Sequence, residues 1–337
     1  MNSSSMWVQC NSAVPPQLAA IVGLVIMAIM LTNILNLIAF RSMRVLKLQH
    51  YIMSSLAIND ILTVCVAIPS MIGIWVGHLW LTTDLCNIVS IVGHIVVGST
   101  NWLHSVICIE KCFSLLRPLT HRRLLVAYPA KPIAVKFTVV MYLVITFITV
   151  VCVYSGLVKA IFSPSVATCV FHVDMQYFIS LGILFIIIPM LVEVVTHILI
   201  LNQVRKSGTE GRRRITRAVR TVSLTVGIYY VCCMPFFAWV VYGLAYPVRQ
   251  LPAWLGFAAI YISVSNSAMS FFIYIHSLKD FRRQLQPCKS SIAPRLWFEH
   301  FVQQVNNLMQ SVINILQWFY SESFFRVKRK GSRSSRG

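Results

Sequence analysis

Asp60 is an acidic residue near the middle of a long apolar run, where an unpaired carboxylate would be costly. Amide and hydroxyl side chains occur at comparable depth in other apolar runs, and a ring of such groups would hold a small cation or a water cluster. The alternative is a network of hydrogen bonds that only holds helices together. Both interpretations stay open, with sodium as the candidate cation. The residues of this predicted network are Asn33, Asp60, Thr100, Asn266, Ser267 and Ser270.

Glu193 is the acid of another apolar run, and His197 follows it four residues later. Residues at this spacing share one face of a helix and are close enough to pair. We expect a structural pair here rather than a proton sensor. No group of His, Cys, Asp and Glu has the spacing of metal ligands, since His94 and His104 stand alone in their run. The sequence therefore predicts no catalytic residues and no enzyme.

The composition places these residues in a membrane. The chain has 337 residues, of which 57% are hydrophobic and 11% charged, against roughly 25% charged in a typical soluble domain. A net charge of +20 would by itself suggest a nucleic-acid partner. A soluble fold of this size could not bury so much apolar surface, so we expect membrane lipids as partners and no nucleic acid.

Seven uncharged or nearly uncharged apolar runs are long enough for the roughly 20 residues that cross a bilayer. The fold class predicted is therefore an all-α membrane protein, a seven-transmembrane-helix bundle. The bundle would occupy residues 18–276, after an extracellular segment 1–17 and before a short membrane-parallel helix 277–288 and a cytoplasmic tail 289–337. The runs are residues 18–40, 51–77, 85–109, 133–158, 175–201, 221–246 and 251–276.

The positions of the cations give the orientation. Of the 29 lysines and arginines, 27 fall on one face, in the segments 41–50 and 110–132, at Lys136, in the segment 202–220 and in the tail. Because positive charge accumulates on the cytoplasmic side, the N-terminus is predicted outside and the tail inside, at the plasma membrane. We expect the first span to act as its own insertion signal, since no signal-peptide pattern precedes it.

Cys86 and Cys169 lie on the predicted outer side, Cys86 at the start of the third span and Cys169 in the loop before the fifth. Both face an oxidising compartment, so a disulfide between them is plausible and would tether that loop over the bundle. Cys10 is also outside and has no obvious partner. Asn2-Ser3-Ser4 is a glycosylation sequon on the same side.

Motifs along these spans resemble those of rhodopsin-type (class A) G-protein-coupled receptors, and the resemblance covers all seven spans and the following short helix. Thr32-Asn33 resembles the family's Gly-Asn, Leu56-Ala57-Ile58-Asn59-Asp60 its Leu-Ala-x-x-Asp, and Pro189 its fifth-span proline. Glu110-Lys111-Cys112 stands for Asp-Arg-Tyr, Cys232-Cys233-Met234-Pro235 for Cys-Trp-x-Pro, and Ser270-Phe271-Phe272-Ile273-Tyr274 for Asn-Pro-x-x-Tyr. The resemblance implies a G-protein switch at Glu110, Lys111, His197 and Tyr274, and a sixth-span hinge at Cys233 and Pro235.

Several positions depart from the family pattern. Lys111 keeps the charge of the family's arginine but loses its planar, bidentate geometry. The sixth span contains no acid to pair with it, which leaves Glu110 to neutralise this lysine. Cys233 replaces a tryptophan, and Phe271 replaces a proline, which removes the expected break in the seventh helix.

The resemblance also implies an outward-facing pocket between the third, fifth, sixth and seventh spans. Gly93 stands where amine receptors carry an aspartate, so a classical amine ligand would lack its charge partner. The seventh span has no lysine for a retinal Schiff base. We expect a small, neutral or lipophilic extracellular ligand and no cofactor beyond the sodium candidate, although such aromatic residues are often ordinary packing. The predicted lining is Gly93, His94, Phe236, Phe237, Trp239 and Tyr261.

The inner side carries further signals. Cys288 has the juxtamembrane position of a palmitoylated cysteine. Apolar residues at steps of three and four predict an amphipathic helix near 296–320, followed by a basic end at 326–333. This helix would lie in the inner leaflet interface or bind a partner groove such as that of calmodulin. The basic segment 202–220 can contact an acidic partner, but the positive-inside rule requires it equally. Arrestin is a further candidate partner of the protein.

Three functions from different classes are consistent with the sequence. The first is a receptor that signals from an extracellular ligand to a heterotrimeric G protein. The second is a receptor-like protein that does not couple conventionally and acts as a scavenger or as a dimer partner of another receptor. The third, a seven-span transporter or membrane hydrolase, is disfavoured because neither inverted repeats nor metal-ligand spacing is visible.

Overall fold

The computed structural model describes residues 18–43, 46–76, 83–155, 158–163, 168–173, 180–206, 209–245, 253–285, 299–307 and 310–311. The chain divides into two units, Met1–Phe271 and Phe272–Gly337. The boundary falls within the last long helix, and the two units are considered separately.

Among the described residues, seven helices are long and apolar enough to cross a membrane, as the sequence predicts. The first four spans are α1 (Leu18–Arg41), α2 (Leu48–Val76), α3 (Thr83–Leu116) and α5 (Ala130–Tyr154). The fifth consists of a π-helical segment, Ile183–Ile187, followed by α6 (Ile188–Lys206). The sixth and seventh are α7 (Thr209–Ala245) and α8 (Ala253–Ser277). Shorter elements are α4 (Pro118–Ala127), β1 (Val158–Ser163), β2 (Thr168–Val173) and α9 (Lys279–Leu285).

The spans carry apolar side chains on their outside and bury polar ones between them. Leu24 and Phe147 are 71% and 69% exposed, whereas Asn33 and Asn59 are both 0% exposed. This distribution is opposite to that of a soluble protein. It fits a bundle in lipid, where apolar side chains meet the acyl chains and polar groups need partners on neighbouring helices.

Two of the basic segments between the predicted spans, 110–132 and 202–220, contain helix. The segment 110–132 holds the end of α3, all of α4 and the start of α5, with Pro118 in the first turn of α4, where its missing N–H costs nothing. Most of 202–220 belongs to α6 and α7. The prediction was wrong at these ends because charge marks where an apolar run stops, while arginine and lysine continue a helix well.

The loop before the fifth span forms an antiparallel hairpin, which the sequence analysis did not predict. Strand β1 pairs with β2 so that Phe162 lies opposite Cys169. Cys169 forms a disulfide with Cys86 of α3, which confirms the predicted pair. Cys86, Val89 and Ala160 pack around this bond in a small buried cluster. The disulfide thus fixes the hairpin to the start of the third span.

The fifth span widens into a π-helical segment one turn before Pro189. Proline has no N–H, so it cannot donate to the carbonyl of Phe185 four residues earlier. Asn101 of α3 donates its side-chain amide to that carbonyl instead, at 2.8 Å. Gly98 permits the close approach, because a Cβ there would lie 3.1 Å from the Phe185 ring. The third and fifth spans are therefore joined where the ladder of the fifth is interrupted.

In the second unit, the last turns of α8 are followed by α9, as predicted for a short helix after the seventh span. The α8 helix continues through Phe271 to Ser277, consistent with the missing proline. Tyr274 packs its ring edge against Phe281 of α9, with centroids 5.8 Å apart.

The tail contains a helical stretch at 299–307, inside the predicted amphipathic segment. Val302 and Val305 are buried, while Gln303 and Gln304 are exposed. Asn306 Oδ1 lies 2.8 Å from His276 Nδ1, and the Phe301 ring lies beside that of Phe272. This part of the tail therefore contacts the end of the seventh span, and the rest of the predicted helix lies almost entirely outside the described residues.

Candidate functional site

The first polar centre of the bundle, the Asp60 cluster, consists of Asn33, Asn59, Asp60, Thr100, Tyr142 and Ser267. Asp60 on α2 is only 2% exposed, and the Ser267 side chain of α8 hydrogen-bonds to it. Asn33 of α1 donates to the Ser267 backbone carbonyl at 2.8 Å. Ser267 therefore links the seventh span to the carboxylate of Asp60 on the second span, and Asn33 links the first span to Ser267.

Asn59, the residue before Asp60, was not among the predicted network residues. Its amide donates to Thr100 Oγ1 at 2.7 Å and to the Val96 carbonyl at 3.1 Å. The Tyr142 hydroxyl donates to Asn59 Oδ1 at 2.6 Å. Thr100 thus bonds to Asn59 rather than to the carboxylate. Asn266 and Ser270, the remaining predicted members, are buried on α8.

The second polar centre, the Glu193 cluster, consists of Asn101, Ser105, Glu193, Tyr229 and Tyr230. Glu193 on α6 is 1% exposed. The Tyr230 hydroxyl of α7 donates to Glu193 Oε2 at 2.7 Å, and Ser105 Oγ of α3 lies 3.2 Å from Oε1. One carboxyl group therefore contacts both the third and the sixth span.

The expected side-chain pair of Glu193 with His197 does not form. His197 Nδ1 lies 2.9 Å from the backbone carbonyl of Glu193, while the carboxyl group turns to the neighbouring spans. The prediction was wrong because the four-residue spacing describes an isolated helix, whereas Ser105 and Tyr230 bring hydroxyl groups to the carboxyl group from neighbouring helices.

The Glu193 cluster extends toward the seventh span. The Tyr229 hydroxyl of α7 donates to Asn101 Oδ1, and its ring meets the edge of the buried His104 at 4.7 Å between centroids. One turn further, Cys233 Sγ lies 3.2 Å from Ser263 Oγ of α8. Cys233, one of the two predicted hinge residues, thus contacts the seventh span, while Pro235, the other, is an exposed residue within α7.

At the inner end of the third span, Glu110 lies between Lys111 and His121. Its carboxylate is 3.8 Å from Lys111 Nζ and 3.4 Å from Nε2 of His121 in α4. The Phe113 ring packs against His121 at 5.7 Å. The expected contact between Glu110 and Lys111 is therefore present, and His121 of α4 also approaches the Glu110 carboxylate.

Five of the six predicted pocket residues lie in three different packing environments. His94 meets the edge of Phe185 at 5.1 Å, and Gly93 lies against Val66. Phe236 packs between Phe237 and Trp239, and the Trp239 ring covers Gly256 of α8, where a Cβ would lie 3.0 Å away.

Tyr261 is the exception among these residues. It is buried with Phe257 in an apolar cluster that includes Val22 and Val64 of the first two spans. In the described part of the chain it contributes to this core, because its helix turns that face toward α1 and α2.

The predicted modification sites and the question of a metal site remain. Asn2 and Cys288 fall outside the described residues, so glycosylation and palmitoylation stay predictions. A search of the described residues for three or more His, Cys, Asp or Glu that could hold a metal ion finds none.

The chain matches the family described as 7 transmembrane receptor (rhodopsin family) over residues 18–274. A comparison with curated proteins finds no match to it. Because the match covers most of the chain and extends from the first span into the seventh, this chain belongs to the rhodopsin family of seven-transmembrane receptors. It is a multi-pass membrane protein of a family that is in general not enzymatic, and membership makes extracellular ligands and G proteins its general partner classes.

The residues that sequence reasoning missed are neutral hydrogen-bonding side chains within apolar spans, namely Asn59, Asn101, Ser105, Tyr142, Tyr229 and Tyr230. Asn59 directly precedes Asp60 and Asn101 directly follows Thr100, so their depth in the membrane was a usable signal. The tyrosines gave none, since buried tyrosines are common in any bundle.

Proposed function

We propose that this protein is a receptor that binds an extracellular ligand and transmits the signal to a heterotrimeric G protein. Its N-terminus would lie outside the plasma membrane and its tail in the cytoplasm. The observation that carries the proposal is the match to the rhodopsin family over the whole bundle. The cation distribution along the sequence supports the orientation.

The proposed ligand is small and uncharged or lipophilic. Gly93 brings no carboxylate to the third span, and Phe236, Phe237 and Trp239 form a cluster of uncharged aromatic rings. Binding would shift the bundle between two arrangements in which these side chains pack differently. Sodium at Asp60 would favour one arrangement, since carboxylate and hydroxyl oxygens are suitable ligands for a hard cation.

The proposed inner switch centres on Glu110 and Lys111. Glu110 approaches both Lys111 and His121 within 4 Å. The contact with His121 joins α4 to the third span in the present arrangement. Release of Lys111 would make its ammonium group available to a partner. A lysine acts as a single point charge where the family's arginine presents a planar fork, so we expect weak basal coupling.

The experiment is nucleotide exchange on a panel of Gα subunits, measured in membranes from cells that express the full chain. We compare the unmodified receptor with Lys111→Arg and with Lys131→Arg, a matched control at an exposed position. Basal exchange on at least one Gα subunit, about tenfold higher with Lys111→Arg and unchanged with Lys131→Arg, supports the proposal. Failure of every subunit to respond, even with Lys111→Arg, rejects it.

A second candidate function is that of a non-coupling receptor-like protein, a scavenger or a dimer partner of another receptor. The specific observation in its favour is the Lys111 side chain, held by Glu110 and without the guanidinium fork. This function predicts surface expression with no nucleotide exchange in all three proteins of the experiment above. Exchange by any of them contradicts it.

A further inference from the structure

Glu193 is a carboxyl group in the middle of a membrane span whose partners in the described structure are neutral hydroxyl groups. None of the ion pairs found among the described residues includes it. A buried carboxylate without a cation is costly in lipid unless its oxygens receive enough hydrogen bonds. The question is therefore how many hydrogens reach the two oxygens of Glu193.

Oε2 receives one hydrogen, from the Tyr230 hydroxyl at 2.7 Å. Oε1 faces Ser105, whose Oγ lies 3.2 Å from it. The same Oγ also lies 3.1 Å from the Pro189 carbonyl and 3.1 Å from the Asn101 carbonyl. A serine hydroxyl has a single hydrogen, so three acceptor oxygens surround one donor.

A proton on Glu193 resolves this shortage. The carboxylic acid then donates from Oε1 to Ser105 Oγ, and Ser105 donates its own hydrogen to a backbone carbonyl. Tyr230 still donates to Oε2, which acts as the carbonyl oxygen of the acid. Without that proton, Ser105 must turn its hydrogen to the carboxylate, and two backbone carbonyls then face its lone pairs at 3.1 Å.

We propose that Glu193 is a proton-binding site within the membrane, and that its protonated carboxyl group holds the third, fifth and sixth spans together. Loss of the proton loosens the contacts with Ser105 and Tyr230, because the charged form has too few donors in lipid. The site needs neither an extracellular ligand nor a G protein, so it stands or falls independently of the proposed function.

Other titratable groups face this carboxyl group and have to be separated from it. The third span brings His104 and Cys108, the sixth brings Tyr229, Tyr230 and Cys233, and Glu193's own helix brings His197. The π-helical segment Ile183–Ile187 contains no titratable side chain. The histidines are the groups that titrate near neutral pH, so the variants must isolate Glu193 from them.

The first experiment measures the thermal midpoint of the purified full chain in detergent micelles from about pH 5 to about pH 8. The folded arrangement binds the proton more firmly than the exposed glutamate of the unfolded chain, so this stabilisation is complete at low pH and declines as pH rises. We expect the wild-type midpoint to fall by about 3 °C over this range. Glu193→Gln, whose amide donates to Ser105 at every pH, should remove that fall.

The control variants are Glu299→Gln, an exposed glutamate of the tail, and His104→Asn. Both should keep the full pH dependence. If Glu193→Gln follows the same pH curve as the wild type, the proposal is wrong. It is also wrong if His104→Asn removes the dependence, since the histidine would then be the titrating group.

The second experiment is infrared spectroscopy, which does not depend on stability. The C=O stretch of a protonated carboxylic acid lies at a higher frequency than the bands of a carboxylate or an amide, so it can be observed separately. We expect a carboxylic acid band at low pH that is absent in Glu193→Gln and present in Asp60→Asn. Tyr230→Phe should shift the frequency of this band, because Glu193 then loses the hydrogen bond from the Tyr230 hydroxyl. A spectrum that Glu193→Gln leaves unchanged would overturn the proposal even if the melting curves were ambiguous.

Discussion

The bundle buries two carboxyl groups, and their surroundings differ in kind. Asp60 lies among amides and hydroxyls of the first, second and seventh spans, with the Asn59 bonds extending the cluster to the third and fourth. Glu193 lies where the third, fifth and sixth spans meet, next to a turn whose backbone ladder is interrupted. Both are almost completely buried.

The difference is in the supply of hydrogens. Around Asp60, the neighbouring amides direct their hydrogens to carbonyl and hydroxyl oxygens, so the carboxylate keeps lone pairs for a cation. Around Glu193, the Ser105 oxygen already faces more acceptors than it can serve. Our two proposals accordingly assign a sodium ion to the Asp60 cluster and a proton to the Glu193 cluster.

The largest effect should come from a change outside both clusters. Cys86→Ser breaks a disulfide between residues 83 apart in sequence and should lower the free energy of unfolding by about 3 kcal/mol, measured by denaturant titration in micelles. The control is Cys65→Ser, a free and exposed cysteine. The sodium and proton responses should survive in Cys86→Ser. Equal effects of the two substitutions would mean that the disulfide does not stabilise the fold.

A medium effect should distinguish the hydrogen bonds of the two clusters. Asn101→Ala removes the side-chain donor of the Phe185 carbonyl, to which Pro189 cannot donate, and should cost about 2 kcal/mol. Asn59→Ala should cost about 1 kcal/mol, since Thr100 keeps its bond to the Val96 carbonyl at 3.0 Å.

The double substitution Asn101→Ala with Pro189→Ala refines this test. Alanine at 189 restores an N–H for the Phe185 carbonyl, so the double variant should be more stable than Asn101→Ala alone in the same titration. Additive losses would show that the interrupted ladder is not what Asn101 stabilises.

The smallest effect should be the response to sodium. Replacing choline chloride by sodium chloride at constant ionic strength should stabilise the wild type by about 1 kcal/mol at a few times the dissociation constant. Asp60→Asn should lose this gain and Glu193→Gln should keep it, as measured by thermal midpoints. If sodium stabilises Asp60→Asn as much as the wild type, the cation does not bind at Asp60.

The sequence predicted correctly those features that depend on a single physical requirement, such as apolar length or an oxidising environment. Apolar length located all seven spans, and the outer positions of Cys86 and Cys169 gave the disulfide. It failed at helix ends, where the basic stretch after residue 202 continues as helix because its side chains do not disfavour the helical backbone. It also paired Glu193 with His197, because only local spacing was available.

The sequence by itself determined that this chain crosses the membrane seven times and belongs with the rhodopsin family, since lipid requires long apolar helices whatever their arrangement. It also marked Asp60 and Glu193 as costly residues in need of partners. Only the tertiary structure decided which partners they have. Ser105 and Tyr230 are 88 and 37 residues from Glu193 in the chain, and hydrogen bonds over such separations depend on how helices pack, which no local pattern encodes.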